Sequence, residues 1–369
     1  MKTAVMTDTN SGIMKAEADS MGIFLIPMPV IIDDETHYEG IDLTEDSFYG
    51  SLTGGQNVST SQPSPGDLMD LWDDILEQGY DEIIHIPMSS GLSASCSTAI
   101  SLSDDYDGKV QVADNHRISV TQRESVMHAK KLAEAGKSAK EIKEVLEAEA
   151  YNSSIYIAVD TLEFLKKGGR VTAAGAALGS VLNIKPILTI QGGKLDAFAK
   201  TRGMKKCKQK MVEALKNDRE TRFKDADDKH LLVGAAGSNL TEEEAAEWKQ
   251  MLVEAFPNSY VYYDPLSFSV GCHIGMIPFI YWLYVIWIKK ETSLLNIYVF
   301  IKKYNRISGD LLSFALFFVI FICCDIIHIV LTMKKKQLNI MDSVVVMSIM
   351  VKLFLILILM AFLTAGILM

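Results

Sequence analysis

The sequence predicts an α/β protein with a mainly parallel, three-layer first domain, a mixed-sheet second domain and membrane-like helices at the carboxyl end. Three observations support this prediction. Short apolar runs alternate with helical patterns up to about residue 150, a Gly-Gly turn joins two later strands, and long apolar stretches follow residue 275. Alternating strands and helices are typical of a parallel sheet covered on both faces, whereas a short glycine turn favours an antiparallel hairpin.

The first half begins with a strand at Thr3–Met6 and a second apolar run, Ile23–Ile32, which ends in a turn at Asp33-Asp34. Thr44 and Pro65 each open a helix, because threonine caps helix starts and proline fits the first helical turn. Two further strands and two amphipathic helices are expected at 83–86, 110–112 and within 118–150, where a break falls at 136–138.

The second half is expected to form a sheet that is antiparallel in part, because Gln191-Gly192-Gly193 joins two of its strands. The expected strands are 155–159, 187–190, 195–199, 231–235 and 260–263, with helices around 173–179, 205–210 and 241–256. We therefore expect domains at 1–153 and 154–275, followed by a hydrophobic tail at 276–369.

Two segments of the tail, Leu311–Met333 and Ile340–Met369, are long enough to cross a bilayer, while Ile274–Ile288 is short for a span. From Met276 onward, nine basic residues outnumber four acidic ones, although the whole chain carries a net charge of −10. The first 275 residues are therefore strongly acidic, which argues against nucleic acid as a partner.

The five cysteines lack the spacing of a metal site or a disulfide framework, and the amino terminus lacks the apolar region of a signal peptide. The sequence therefore predicts no metal and no cofactor. It predicts a cytoplasmic ligand-binding region that is attached to a membrane through the tail.

Two hydroxyl-rich loops are the main functional signal: Thr60-Ser61-Gln62-Pro63-Ser64-Pro65 and Ser89-Ser90-Gly91-Leu92-Ser93. Each is expected where a strand ends and a helix begins, and helix amino ends attract carboxylates and phosphates. Either loop alone is more often a plain turn. Because ligand crevices form at the carboxyl ends of strands, the pair predicts one anion site built from neighbouring strands. Asp8 and Ser11 lie in a similar loop, where an Asx cap is the expected use of Asp8.

With these loops placed, the first 275 residues resemble the DegV family of bacterial fatty-acid-binding proteins, which have two α/β domains with the lipid between them. The resemblance rests on TDTNSG near the start, TSQPSP at 60–65, SSGLS at 89–93, DTLEFLKKGGR at 160–170, KP at 185–186 and GCHIG at 271–275.

The resemblance implies that Thr60, Ser61 and Ser93 hold the carboxylate of a long-chain fatty acid, with His273 as a further neighbour. It also implies that a separate ATP-dependent kinase converts the bound acid into an acyl phosphate. Arg170 is then expected to contact the partner or the phosphate, and Arg202 to extend that surface. From the residues alone, the role of a core histidine is favoured for His273, and the arginines are open to the role of solvated charges.

The chain contains no GxxxxGK[ST] phosphate loop, so the resemblance implies a binding subunit and no catalytic residues. After GCHIG the sequence departs from the family, and the second domain is expected to be incomplete.

Two alternative functions stay open. Gly91-Leu92-Ser93-Ala94-Ser95 approaches the GxSxG pattern of a serine hydrolase, with Asp114, His116 or His273 as triad partners. A membrane-anchored ligand-binding accessory protein is the other.

Overall fold

The structure is a computed structural model that describes residues 2–178, 184–275 and 279–285. All of them belong to one compact unit, Met1–Glu291. The expected membrane spans at 311–333 and 340–369 lie outside the described residues. Within the described ranges, no helix combines the length and the apolar character that crossing a membrane requires.

Strands and helices alternate through most of the chain. The strands are β1 (Thr3–Asp8), β2 (Phe24–Ile26), β3 (Pro29–Ile32), β4 (Glu35–Tyr38), β5 (Val58–Thr60), β6 (Glu82–Ile86), β7 (Val110–Val112), β8 (Ser153–Ala158), β9 (Ile184–Ile190), β10 (Asp196–Arg202), β11 (Leu231–Gly237), β12 (Tyr260–Pro265) and β13 (Phe279–Val285). The helices are α1 (Lys15–Met21), α2 (Glu45–Thr53), α3 (Pro65–Glu77), α4 (Ser95–Ser103), α5 (Val120–Glu134), α6 (Ala139–Ala148), α7 (Glu163–Gly168), α8 (Ala173–Ala177), α9 (Met204–Glu220), α10 (Glu242–Ala255) and α11 (Phe268–Ile274).

The first sheet is fully parallel, with strand order β2-β1-β6-β7. Successive side chains of a strand point to opposite faces, and the central strands are buried on both. Val5 and Ile84 pack with helices α1, α5 and α6, whereas Met6 and Ile83 pack with α3 and α4. The predicted three-layer arrangement of this half is therefore confirmed.

A three-stranded antiparallel sheet, β4-β3-β5, was not expected from the sequence. The apolar run at 23–32 divides into β2 and β3, which belong to different sheets. Pro27 lies between them, and Pro29 occupies the first position of β3, where the missing backbone N–H is tolerated. The predicted turn is confirmed: Asp33 and Asp34 have φ of 47° and 72°, as tight hairpins favour.

The third sheet is mixed and has six strands in the order β10-β9-β8-β13-β11-β12. Strands β9 and β10 pair in the antiparallel direction through the glycine turn, as predicted. One face of the sheet, which includes Tyr156 and Val233, packs with Met211 of α9 and Trp248 of α10. The opposite face presents Ile155 and Ile157 to a second apolar cluster.

Strand β13 corrects the expectation that a membrane-like tail follows residue 275. It lies between β8 and β11 and is antiparallel to both. The part of the apolar run Ile274–Ile288 at 279–285 is therefore a sheet strand and not a membrane segment. The expectation that the second domain lacks its last strand is corrected in the same way, because β13 occupies an inner position of the six-stranded sheet. A central strand is apolar at successive positions, and such a run imitates a membrane segment until its short length is weighed.

Candidate functional site

An apolar cavity of about 220 Å³ lies where the six-stranded sheet faces loops of the parallel and three-stranded sheets. One water molecule needs only about 10–15 Å³ on this measure, so the cavity has room for a much larger ligand. Its apolar lining consists of Met28, Met88, Leu92, Ala94, Ile118, Val120, Ile155, Ile157, Leu165, Ile190, Leu195, Val270 and Ile274. Its polar lining consists of Asn10, Thr60, Ser61, Gln62, Ser93, Ser119, Arg170, Ser269 and His273.

Thr60 and His273 form the hydrogen-bonded centre of the polar lining. Thr60 ends β5, His273 lies near the end of α11, and Oγ1 of Thr60 is 2.8 Å from Nε2 of His273. Burial, and then the nearby charge of Arg170, lower the pKa of His273 to about 4. The imidazole is therefore neutral at physiological pH.

Arg170 lies in the loop that follows α7. Its Nε donates to the backbone oxygen of Leu92 at 3.2 Å, and its Nη1 donates to that of Gly168 at 2.5 Å. The first contact ties the arginine to the hydroxyl-rich loop at 89–93. A guanidinium has five N–H donors, so Arg170 keeps donors for an anion in the cavity.

Ser93 ends that loop just before α4, and its Oγ accepts a hydrogen bond from the backbone N–H of Ser95 at 3.2 Å. The loop is anchored to the glycine turn of the six-stranded sheet, because Oγ of Ser89 donates to the backbone oxygen of Gly192 at 2.5 Å. A Cβ atom at Gly91 would lie 2.6 Å from the same oxygen. Only glycine allows the loop and the turn to approach this closely.

The remaining predicted residues differ in position. Ser61 lines the cavity from an exposed position, and its Oγ donates to the backbone oxygen of Gln62 at 3.1 Å. Arg202 is exposed at the end of β10 and does not line the cavity. The structure thus brings together five of the six predicted residues: Thr60, Ser61, Ser93, Arg170 and His273.

The two predicted loops do meet at one cavity, but the expected reason for their meeting is wrong. The loop at 60–65 follows β5 of the antiparallel sheet, while the loop at 89–93 follows β6 of the parallel sheet. They are therefore not loops of neighbouring strands. Helix α11, which contacts β5 and β3, brings the antiparallel sheet to the cavity.

Sequence reasoning missed Asn10 and Ser269, which are only 3% and 4% exposed and line the cavity. Asn10 follows β1, so the rule that found the other loops would also have found it. Ser269 is four residues before His273, hence on the same face of α11. The Asx cap expected at Asp8 is confirmed, since the Asp8 carboxylate accepts a hydrogen bond from the backbone N–H of Asn10 at 3.0 Å.

A hydrolase triad is not assembled around Ser93. His273 bonds to Thr60, and the His116 ring stacks on Tyr151 with its Nδ1 3.5 Å from Asp114. Across the described ranges, no hydrogen bond joins Ser93 to a histidine.

The same part of the chain shows no cluster of three or more residues suited to holding a metal ion. Hydroxyls, a neutral imidazole and a guanidinium around an apolar space are instead suited to holding an amphipathic anion.

The sequence profile of a family described as "uncharacterised protein, DegV family" matches residues 2–277. The chain is 33% identical to Protein DegV of Bacillus subtilis over 282 residues, covering 74% of this chain and 96% of that protein. It is 30% identical to a DegV domain-containing protein of Listeria monocytogenes over 279 residues, covering 74% and 95%.

Solved structures agree with these matches. A DegV family protein from Thermus thermophilus, described by its fatty acid binding, has a TM-score of 0.70 and 26% identity, with coverage of 78% of this chain and 100% of that one. DegV of Bacillus subtilis, described as a fatty acid binding protein, has a TM-score of 0.67 and 30% identity, with coverage of 77% and 99%. The resemblance predicted from the motifs is confirmed, and this chain belongs to the DegV family.

Proposed function

We propose that the chain binds a long-chain fatty acid in the cavity, with its carboxylate held directly by Thr60, Ser61 and Ser93, and by His273 through its hydrogen bond to Thr60. The observation that carries the proposal is the composition of the cavity: an apolar lining with hydroxyls, a neutral imidazole and the Arg170 guanidinium among it. The fatty acid binding ascribed to the related proteins from Thermus thermophilus and Bacillus subtilis supports it.

Burial of the acyl chain supplies most of the affinity in this proposal. At about 0.8 kcal/mol per buried methylene, a sixteen-carbon chain gains roughly 10 kcal/mol before the costs of ordering and association. The polar groups mainly fix the position of the carboxylate. Apolar contacts from the six-stranded sheet, such as Ile155 and Ile157, provide one wall for the chain.

The hydrogen bond between Thr60 and His273 decides which of them can donate to a carboxylate. If Nε2 of His273 carries the proton, it donates to Oγ1 of Thr60, and the threonine hydroxyl is free to donate onward. In the other tautomer, the hydroxyl proton is used by the imidazole. The proposed complex therefore has the Nε2–H tautomer, with the carboxylate as the acceptor at the end of a short chain of donors.

The proposed role of the bound acid is presentation to a separate ATP-dependent kinase, which transfers a phosphoryl group to the carboxylate. A carboxylate oxygen attacks the γ-phosphorus of ATP, the bond to the ADP leaving oxygen breaks, and the products are an acyl phosphate and ADP. Arg170 lines the cavity beside the head group, and Arg202 is exposed on β10. We assign Arg170 to the developing phosphate charge and Arg202 to contact with the kinase.

Mass spectrometry of organic extracts from the purified full-length protein tests the binding proposal. Wild type is expected to carry about one fatty acid per chain, and Ser93→Ala to carry much less. Ser101→Ala, an exposed position in the same helix α4, is the matched control and is expected to retain the ligand. Recovery of bulk phospholipid alone from wild type would contradict the proposal.

Trapping with hydroxylamine tests the kinase proposal, because it converts an acyl phosphate into a stable hydroxamate. With fatty-acid-loaded protein, a fatty acid kinase subunit and ATP, hydroxamate is expected from wild type. At a saturating concentration of fatty acid, Arg170→Gln and Arg202→Gln are expected to form hydroxamate at least tenfold more slowly. Lys109→Gln, at an exposed position before β7, is the control. Equal rates for all four proteins would remove the roles assigned to the arginines.

The cytoplasmic location of the ligand-binding region and its attachment through residues 276–369 are part of the same proposal, with the attachment limited to residues after β13. Membrane fractionation, followed by carbonate extraction and protease protection, tests both. Recovery of the full-length chain in the soluble fraction would contradict the attachment. It would also remove the alternative of a membrane-anchored accessory protein.

A further inference from the structure

A second polar group interrupts the apolar lining of the cavity. It consists of Asn10, which follows β1, and Ser269, which lies in the first turn of α11. Oγ of Ser269 donates to Oδ1 of Asn10 at 2.5 Å. Both side chains are more than nine-tenths buried. A buried amide in an apolar cavity is costly unless its donors and acceptors are used.

The bond from Ser269 fixes the orientation of the amide. Since Oδ1 of Asn10 accepts, Nδ2 must lie on the opposite side and donate. An amide nitrogen has two N–H groups: it donates to Sδ of Met88, at 3.0 Å, and the side chain of Asn10 also forms a hydrogen bond with the Asp8 carboxylate. A thioether sulfur is a weak acceptor, and Met88 itself lines the cavity. Asn10 can therefore exchange its weak contact with Met88 for a stronger hydrogen bond to an oxygen inside the cavity.

This polar group is distinct from the proposed carboxylate site. Ser269 and His273 are four residues apart on one face of α11, so about one helical turn, 5.4 Å, separates them. An acyl chain whose carboxylate lies at His273 and Thr60 would pass this group within its first several carbons. An unsubstituted chain offers Asn10 no oxygen there.

We propose that Asn10 forms a second polar subsite, which binds a hydroxyl group on the carboxyl-proximal half of a fatty acid. The proposal rests on the proposed fatty-acid function and names a substrate class for the same cavity: hydroxylated long-chain acids. Nδ2 of Asn10 donates to the hydroxyl oxygen of the ligand in place of the Met88 sulfur. Ser269 holds the amide in the donating orientation, which makes it a positioning residue.

Competition binding with a fluorescent fatty acid tests the subsite, using stearate and a series of hydroxystearates substituted between carbon 2 and carbon 12. In wild type, an isomer substituted near the carboxyl end is expected to bind roughly three- to tenfold more tightly than 12-hydroxystearate, as one added hydrogen bond provides. Asn10→Ala is expected to remove this preference while changing stearate affinity less than twofold.

Ser267→Ala is the matched control. Ser267 is buried beside Ser269, at 3.1 Å between the hydroxyl oxygens, but it does not line the cavity. Its replacement is expected to leave the preference intact. If Asn10→Ala does not fold, Asn10→Ser replaces it, since a shorter hydroxyl is expected to lose most of the preference.

Three results would overturn the proposal, and they are distinguishable. If stearate and all isomers bind equally, the subsite is absent while the fatty-acid function stands. If Asn10→Ala weakens stearate as much as the hydroxylated acids, Asn10 belongs to the carboxylate site. If no fatty acid displaces the probe, both the subsite and the proposed function fail.

Discussion

The hydroxyl of Thr60 and the imidazole of His273 lie 2.8 Å apart, although 213 positions separate them in the sequence. This bond joins the end of an antiparallel strand to a helix at the far end of the described chain. It also sets the direction of the proton donors that face the cavity. Both residues are therefore expected to influence ligand binding more than fold stability.

Thr60→Val keeps the shape of the side chain but removes its hydroxyl. We expect the affinity for palmitate to fall roughly tenfold or more, because hydrogen bonds to charged groups contribute about 1.5–3 kcal/mol. Isothermal titration or probe displacement measures the change. Thr36→Val, on an exposed position of β4, is the control and should bind normally. An unchanged affinity in Thr60→Val would mean that this hydroxyl does not contact the carboxylate.

The lowered pKa of His273 predicts a specific dependence of stability on pH. The unfolded state takes up a proton at about pH 6.5, whereas the folded state resists protonation until about pH 4. The unfolded state therefore binds more protons between these values, and the free energy of unfolding falls as pH decreases through this window. Below about pH 4 both states are protonated, so the loss is complete.

His273→Gln should remove this contribution. Between pH 7.5 and pH 5, the unfolding free energy of wild type is expected to fall by about 1 kcal/mol more than that of the variant, after discounting for partial exposure of the ring. Urea denaturation at the two pH values measures it. Burial also lowers the pKa of His85, to about 3, but that contribution is common to both proteins and cancels. Identical pH dependence would contradict the pKa assigned to His273.

The parallel sheet of the first half and the helices that cover it could be predicted because their signals are local. Ser64 and Ser138 cap the starts of α3 and α6, and Val5 alternates with Met6 between the two faces of the parallel sheet. Such patterns depend on neighbours within a few residues. The loops at 60–65 and 89–93 were found in the same way.

The pairing between distant segments could not be predicted from local signals. The division of 23–32 between two sheets depends on which partners β2 and β3 find, and the central position of β13 depends on β8 and β11. An apolar run alone does not identify its partner strand. The polar pair of Asn10 and Ser269 is hidden for the same reason, since its members are 259 positions apart.

Gly168→Ala tests how closely His273 is held. A Cβ atom at position 168 would lie 2.5 Å from Nδ1 of His273, so the ring must move away and weaken its bond to Thr60. We expect a fatty-acid affinity at least fivefold lower, with a loss of only about 1 kcal/mol in unfolding free energy because a side chain can yield. Gly50→Ala, in α2 with no atom within 4 Å, is the control. Normal binding by Gly168→Ala would show that the ring position is not critical.

Gly91→Ala should reduce fold stability more than Gly168→Ala does, because the atoms that its Cβ would meet belong to the backbone. The new Cβ would lie 2.6 Å from the oxygen of Gly192 and 2.7 Å from Cα of Gly193. Neither atom can yield without moving the turn of the six-stranded sheet, so we expect a loss of about 1–3 kcal/mol in unfolding free energy. Displacement of the loop should also shift Ser93 and lower fatty-acid affinity.

Gly193→Ala is the matched control on the other side of the same contact, where a Cβ atom would meet nothing within 4 Å. Thermal unfolding with and without palmitate separates the two effects. The melting temperature of Gly91→Ala should fall by several degrees, with a smaller rise on adding palmitate than wild type shows. If both alanine variants behaved like wild type, the loop and the turn would not be in contact in solution. Ser93 would then be positioned by its own helix rather than by the second half of the protein.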